Sequence, residues 1–323
     1  MKPYPIKFTP ILKERIWGGE KLIKNFKKDS IKTNIGESWE ISDVKGDVSI
    51  VANGHLKGAT LKELIEKYKG VFVGNKVYEK YGENFPILIK FIDAKTPLSI
   101  QVHPRNELAK ERHNTFGKNE MWYVMDVEND GELIVGFNKK TDKTQYVQAL
   151  DSGNILDILN VEKVKKGDTF YIPTGRVHAI GAGTVIAEIQ QTSDITYRIF
   201  DYNRIEKSTG KERELHTDLA LDAIDYNFYN SYKTPYETTE NSSVKLVHSP
   251  YFKTNILELT QEIKIDYSSL DSFVIYMCVE GSFTIEHNQL FTNVNQGETI
   301  FLPAAIEAIT LQSKNSKILE VSL

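Results

Sequence analysis

A seven-residue string occurs twice in this chain. Gly167-Asp-Thr-Phe-Tyr-Ile-Pro173 returns near the C-terminus as Gly297-Glu-Thr-Ile-Phe-Leu-Pro303. In both copies a glycine and an acid give a turn signal, a short apolar run follows, and a proline closes it. That is the pattern of a turn feeding a strand. Repetition of such a string points to a chain built from two related β units. Five residues past the proline the first copy has His178, and the second has Ala308. The first unit is therefore expected to carry a metal-type histidine that the second has lost.

The rest of the chain agrees with a β framework. Runs rich in Ile, Val, Tyr and Phe predict strands over 37–41, 87–92, 98–102, 121–126, 132–137, 169–172, 184–190 and 273–279. Many short strands divided by Gly, Pro, Asn and Asp predict a sandwich or barrel. Helical periodicity is local. One helix starts at Thr60 as N-cap, with Leu61, Leu64, Ile65 and Tyr68 on one face. Segments 143–150 and 155–159 form a helical pair inside 139–160, an insertion in the β framework. Segment 215–224 follows the helix period again. The polar stretch 236–243 is the expected junction, dividing the chain into domains at 1–235 and 236–323.

Composition narrows the partners. The net charge is −4, with lysines and acids mixed and no basic stripe, so nucleic acid is not an expected partner. The cluster Lys21, Lys24, Lys27 and Lys28 reads as a solvated face. The single cysteine, Cys278, sits in an apolar run as a buried strand residue and allows no intramolecular disulfide. The N-terminal residues lack a signal-peptide core, and no run is long and apolar enough to span a bilayer. A cytoplasmic protein with no membrane partner is expected, and its oligomeric state is left open.

Three segments carry the polar chemistry. In 99–103, Ser99, Gln101 and His103 share one strand face, while Ile100 and Val102 take the other. Polar groups on such a face need partners, which a metal or a polar ligand would supply. In 118–120, Lys118 and Glu120 project to one side of a strand entrance. In 172–179, His178 follows a Pro-x-Gly turn. His103, Glu120 and His178, with Gln101 as a neutral oxygen donor, suit zinc with a position left for substrate, and equally suit non-haem Fe(II). Further on, Glu188, Asp194 and Arg198 read either as structural ion pairs or as a polar site beside the metal. His55, His113, His216, His248 and His287 read as surface or capping residues, with His113 near enough to Lys118 in sequence to approach the site.

Together these motifs resemble the type I phosphomannose isomerases, in their short bacterial form. The resemblance starts at Trp17-Gly-Gly19 and Gly36-Glu-Ser-Trp-Glu40 and is strongest in 98–104, 118–120 and 172–179, continuing to Tyr197-Arg198. It implies a mainly β fold: cupin (jelly-roll) barrels with a helical insertion and a degenerate cupin-like domain at the C-terminus. It implies one zinc ion per chain, with Gln101, His103, Glu120 and His178 at the metal positions. It implies a sugar-phosphate substrate and a catalytic arginine at Arg198. Lys118 and Glu188 match polar groups of the pocket, Ser99 and Lys90 match positions near the phosphate, and Trp17 falls on the substrate side.

The implied reaction is the reversible interconversion of mannose 6-phosphate and fructose 6-phosphate. It moves a proton between C1 and C2 through a zinc-stabilised cis-enediol. Arg198 would meet the developing negative charge, and Glu188 or a metal-bound hydroxide would take the carbon proton. The rival readings are a non-catalytic cupin sugar sensor and an Fe(II) cupin dioxygenase. A sensor has little need of Lys118, Glu188 and Arg198, and a dioxygenase needs open coordination positions for O₂.

Overall fold

A computed structural model describes every residue of the chain except 129, 207 and 208. Its first part is built on eleven principal strands: β1 Ile11–Gly19, β2 Ile35–Ile41, β3 Ile87–Ala94, β4 Ile100–Val102, β5 Glu120–Val127, β6 Glu132–Phe137, β7 Leu159–Lys163, β8 Thr169–Ile172, β9 His178–Ile180, β10 Thr184–Gln191 and β11 Tyr197–Phe200. They form two antiparallel sheets, in the orders β1-β2-β3-β10-β5-β8 and β11-β4-β9-β6-β7. The second part adds β12 Ser243–His248, β13 Lys253–Leu259, β14 Ile263–Asp266, β15 Val274–His287, β16 Leu290–Asn295, β17 Thr299–Leu302, β18 Ala308–Gln312 and β19 Ser316–Ser322. The chain is thus mainly β.

The alternation of side chains along the strands explains the layering. The three central strands of the first sheet are buried on both faces. One face sends Ile92, Trp122, Val124 and Ile186 inward against Leu133, Val135 and Ile180 of the second sheet. The opposite face sends Ile87, Ile89, Phe91, Met121 and Ala187 into a large core shared with Phe273, Phe301 and Leu319 of the second part. The N-terminal residues join this core: Ile6 bridges Phe301, and Tyr4, Ile6 and Phe8 are buried there. The apolar contacts therefore run across the polar stretch 236–243.

The outer face of the second sheet, with Ile100, Val102, Ala179, Tyr197 and Ile199, is covered by Leu108, Tyr146, Ile155 and Ala220 from helical segments. The helices begin where their caps dictate. Thr60 and Glu63 form a reciprocal capping box at Leu61–Tyr68, and Asp142 and Gln145 form another at Lys143–Asp151. A 3-10 turn, Ile155–Ile158, completes the expected helical insertion.

Three elements depart from expectation. The strand expected over 98–102 begins only at Ile100, and that expected over 273–279 extends to His287. The helix expected over 215–224 is cut to Thr217–Leu221. Its first residues are spent otherwise, because the His216 N–H donates to the Arg198 carbonyl at 2.7 Å. Its end is drawn off by Asp225, whose N–H donates to the Gly175 carbonyl at 2.8 Å. The repeated string behaves alike in both parts. Gly167 and Gly297 have φ of +93° and +81°, a turn conformation that side chains resist, and each leads into a short buried strand. Among the described residues no helix is long and apolar enough to cross a membrane.

Candidate metal centre and cleft

Strand register gathers the polar residues. Gln101 on β4 pairs with His178 on β9 to one side and with Arg198 on β11 to the other. In the facing sheet Glu188 on β10 pairs with Lys90 on β3 and with Trp122 on β5, while Lys90 pairs with Trp39 on β2. Glu120, at the start of β5, pairs with Gln190 and Ile172. Glu120, Trp122 and Glu188 sit on the inward face, so the two sheets close around them.

At the bottom lie His103, Glu120 and His178, all buried, with one ligand atom from each within 4.8 Å of the others. Nε2 of His103 is 3.4 Å from Glu120 Oε2, and Nε2 of His178 is 3.3 Å from Glu120 Oε1. Each ring is turned by a backbone carbonyl: Nδ1 of His103 faces Ile195 O at 2.9 Å, and Nδ1 of His178 faces Arg176 O at 2.7 Å. A proton on Nδ1 satisfies those carbonyls and leaves both Nε2 lone pairs directed at Glu120, the tautomer a metal requires. The carboxamide of Gln101 stands 3.2 Å from His178 Nε2, at the edge of the group.

The charges fit a cation. Burial pushes His103 down to about 3, with Lys118 adding to the effect, and burial lowers His178 as well, so both rings stay neutral. Burial alone would raise Glu120, but the Lys118 ammonium opposes it, and the carboxyl lies well below its usual range. Neither Glu120 oxygen accepts a well-formed hydrogen bond, although the Lys118 ammonium is 2.9 Å from Oε2. An ionised carboxylate buried among neutral imidazoles is costly without further compensation. Two imidazole nitrogens and this carboxylate are a fitting donor set for one divalent metal ion.

Next to the triad, in contact with it through Gln101 and Lys118, lies a polar cleft of about 590 Å³, lined also by Trp17, Lys90, Ser99, Glu188 and Arg198 among others. Glu188 accepts from Trp122 Nε1 at 2.8 Å and lies 3.2 Å from the Lys90 ammonium. Burial, then repulsion from Glu120, raises its pKa. The ion pairs considered between Arg198 and Glu188 or Asp194 are not formed. Arg198 donates through Nη1 to the Glu214 carbonyl at 2.6 Å, and its Nε is buried with no acceptor. Of the other histidines, His113 reaches the hydroxyl of Tyr197 at 2.8 Å, and His216 accepts from the Arg198 N–H through Nδ1 at 3.1 Å.

Sequence reasoning missed one wall. Lys13 and Arg15 on β1, Glu37 and Trp39 on β2, and Arg213 also line the cleft. Arg15 grips Glu37 with two donors at 3.1 and 3.0 Å, and Trp39 Nε1 donates to Glu37 at 2.6 Å. Burial opposes ionisation of Glu37, but Lys90 and Arg15 prevail and hold it at about 2. The available signal is a period-2 alternation, Lys13-Arg15-Trp17 and Glu37-Trp39, the second inside the strand expected over 37–41.

Residues 6–144 match the family described as phosphomannose isomerase type I, catalytic domain, and residues 242–321 match the mannose-6-phosphate isomerase cupin domain. The chain is 33% identical to mannose-6-phosphate isomerase ManA of Bacillus subtilis over 97% of both proteins. It is 32% identical to the mannose-6-phosphate isomerase of Streptococcus mutans over 94% of both. A crystal structure of the Bacillus subtilis mannose 6-phosphate isomerase superposes with a TM-score of 0.87 at 33% identity, covering 99% of each chain. A phosphomannose isomerase from Salmonella typhimurium shares the fold at a TM-score of 0.78 and 16% identity.

Proposed function

This chain belongs to the type I phosphomannose isomerase family, an enzyme family of aldose–ketose isomerases, and on that premise we propose that it interconverts mannose 6-phosphate and fructose 6-phosphate in both directions. The observation that carries the reading is the buried His103–Glu120–His178 triad, reached through Gln101 and Lys118 from a polar cleft that also presents Glu188 and Arg198.

His103, Glu120 and His178 would hold one zinc ion, with Gln101 beside them. A reaction with no net redox change is served by a redox-inert ion, which when bound would polarise the sugar oxygens at C1 and C2. The protein's own groups do the rest. Glu188 takes the proton from carbon: its raised pKa brings it closer to the working pH, where a general base is most effective. The Trp122 indole and the Lys90 ammonium fix its orientation. Arg198 meets the negative charge that develops on the enediolate oxygens. Among the cleft's described cations, Arg15, Lys90, Lys118 and Arg213 each face a carboxylate, whereas Arg198 does not. Lys118 steadies Glu120 and His103 from 2.9 and 3.1 Å. Ser99 and Lys90 are assigned to the phosphate of the sugar, and Trp17 to the substrate side of the cleft. The same reading takes 1–235 as the metal-binding domain and 236–323 as its degenerate partner.

The test is a coupled isomerase assay on purified protein with metal analysis of the same sample. Turnover of mannose 6-phosphate that disappears on chelation and returns with zinc is expected. A zinc-loaded, folded protein with no turnover would refute the proposal.

A further inference from the structure

Asp201 follows β11 and does not line the cleft; it is 4% exposed. Two guanidiniums share its carboxylate. Arg204 reaches it through Nη2, and Arg213 through Nη2 and through Nε at 2.8 Å. Such paired, charge-assisted contacts are strong and directional. Each arginine passes the link onward. Arg204 Nη1 donates to the Pro97 carbonyl at 2.6 Å, just ahead of Ser99. Arg213 begins a short segment whose next residue, Glu214, offers the carbonyl that receives Arg198 Nη1 at 2.6 Å. His216 closes that segment by two hydrogen bonds to the Arg198 backbone, donating its N–H at 2.7 Å and accepting at Nδ1 at 3.1 Å.

The segment from Arg213 to His216 is therefore fastened at both ends, and the carbonyl between them points at the guanidinium of Arg198. Among the described residues Arg198 has no ion pair of its own to fix its side chain, and its Nε finds no acceptor. The approach of Arg204 and Arg213 is also unfavourable for a third guanidinium unless an anion sits among them. Asp201 is that anion: burial and Arg213 weaken the charged form of Arg198, and Asp201 works against both.

We propose that Asp201 is a positioning residue for this isomerase, holding the Arg198 guanidinium over the cleft through Arg213 and the Glu214 carbonyl. The proposal rests on the role given to Arg198 above.

A double-mutant cycle of Asp201→Asn and Arg198→Ala tests it, with kcat, KM, bound zinc and melting temperature measured for each protein. Asp201→Asn is expected to lower kcat about tenfold or more, with KM little changed and zinc at the wild-type ratio. In the Arg198→Ala background the same change should alter kcat less than about twofold, since residues acting as one unit are not additive. A purely structural Asp201 would lower the melting temperature and leave kcat alone, which overturns the proposal, as does a full additive loss in the double variant. Should Asp201→Asn fail to fold, Asp201→Glu keeps the charge and moves it, and a wild-type kcat there overturns the proposal equally. A near-normal kcat in Arg198→Ala would remove the underlying role of Arg198 and Asp201 with it. A slow Arg198→Ala beside a normal Asp201→Asn would remove Asp201 alone.

Discussion

Glu188 and Glu320 hold the same position in two successive β units. Glu188 pairs across its sheet with Trp122 and Lys90, and Glu320 pairs with Tyr276 and Asn255. Along the repeated string, Ile172 faces Glu120 where Leu302 faces Val274, and His178 opens a strand where Ala308 opens another. The second unit has thus exchanged the metal-type residues for Val274 and Ala308 and kept the carboxylate. There Glu320 accepts from Tyr267 and Ser243, and from Asn255 at 3.0 Å, and is fully engaged.

From this equivalence come opposite phenotypes. Glu188→Gln should lower kcat by at least about a hundredfold, within the range for loss of a general base, and leave the melting temperature near wild type. Glu320→Leu should leave kcat unchanged and cost about 1–3 kcal/mol of stability, because it strands buried hydroxyls. Steady-state kinetics and denaturant titration of both variants check this. A kinetic defect in the Glu320 variant would contradict it.

The donor set predicts metal behaviour residue by residue. Alanine at His103, Glu120 or His178 should each reduce bound zinc well below one per chain and abolish turnover. Gln101→Ala, at the edge of the group, should retain most of the metal. Elemental analysis after dialysis decides the matter, and stoichiometric zinc in all three triad variants would refute the assignment.

Arg198→Ala should reduce kcat about a hundredfold or more, the usual effect of removing a preorganised donor to developing charge, and change KM less. Arg198→Lys should recover only part, since an ammonium lacks the planar fork. A normal kcat in folded, zinc-loaded Arg198→Ala protein would clear this residue of a catalytic role.

The pH profile has a definite sign. Glu188 must be ionised to accept a proton, so kcat/KM falls as the pH drops through its pKa. Burial and Glu120 raise that pKa, which places the acidic limb above the ordinary carboxylate value of 4.5; Lys90 pulls the other way. Lys90→Met removes the opposing charge and should move the limb to higher pH. A limb that stays in place would show that another group carries it.

Much of the site was legible because its residues announce themselves within short segments: His103 and Gln101 by alternation in one strand, Glu120 at a strand entrance, His178 after a Pro-x-Gly turn. The opposite wall was not, since Arg15 and Glu37 become partners only when β1 and β2 pair, with Lys13 opposite Glu37. Asp201 has a local partner in Arg204, three residues on, but Arg213, which ties it to Arg198, meets it only after the chain turns back. The helix expected over 215–224 shows the limit of periodicity, for a tertiary bond from His216 to Arg198 overrides it.

Phe301 concentrates the shared core. Its ring stacks on Phe72 and Phe273 with centroids 4.8 and 5.3 Å away and meets Phe85 and Phe8 edge-on. Phe301→Ala should cost about 3–5 kcal/mol, a loss that calorimetry should register as one lowered transition across the whole chain. Two separated transitions, only one of them shifted, would contradict a common core.

That core has a bearing on synthesis. Ile6 is synthesised long before Phe301, yet each bridges the other in the finished protein. Until β17 and β19 emerge, the Ile87–Ile89–Phe91 face of the first sheet lacks the cover that Phe301 and Leu319 give it. The nascent chain must therefore carry an open apolar surface until those strands are made, the condition under which large β proteins aggregate. A chain stalled or cut short before residue 300 would be a target for chaperones and proteases, however complete its metal-binding residues.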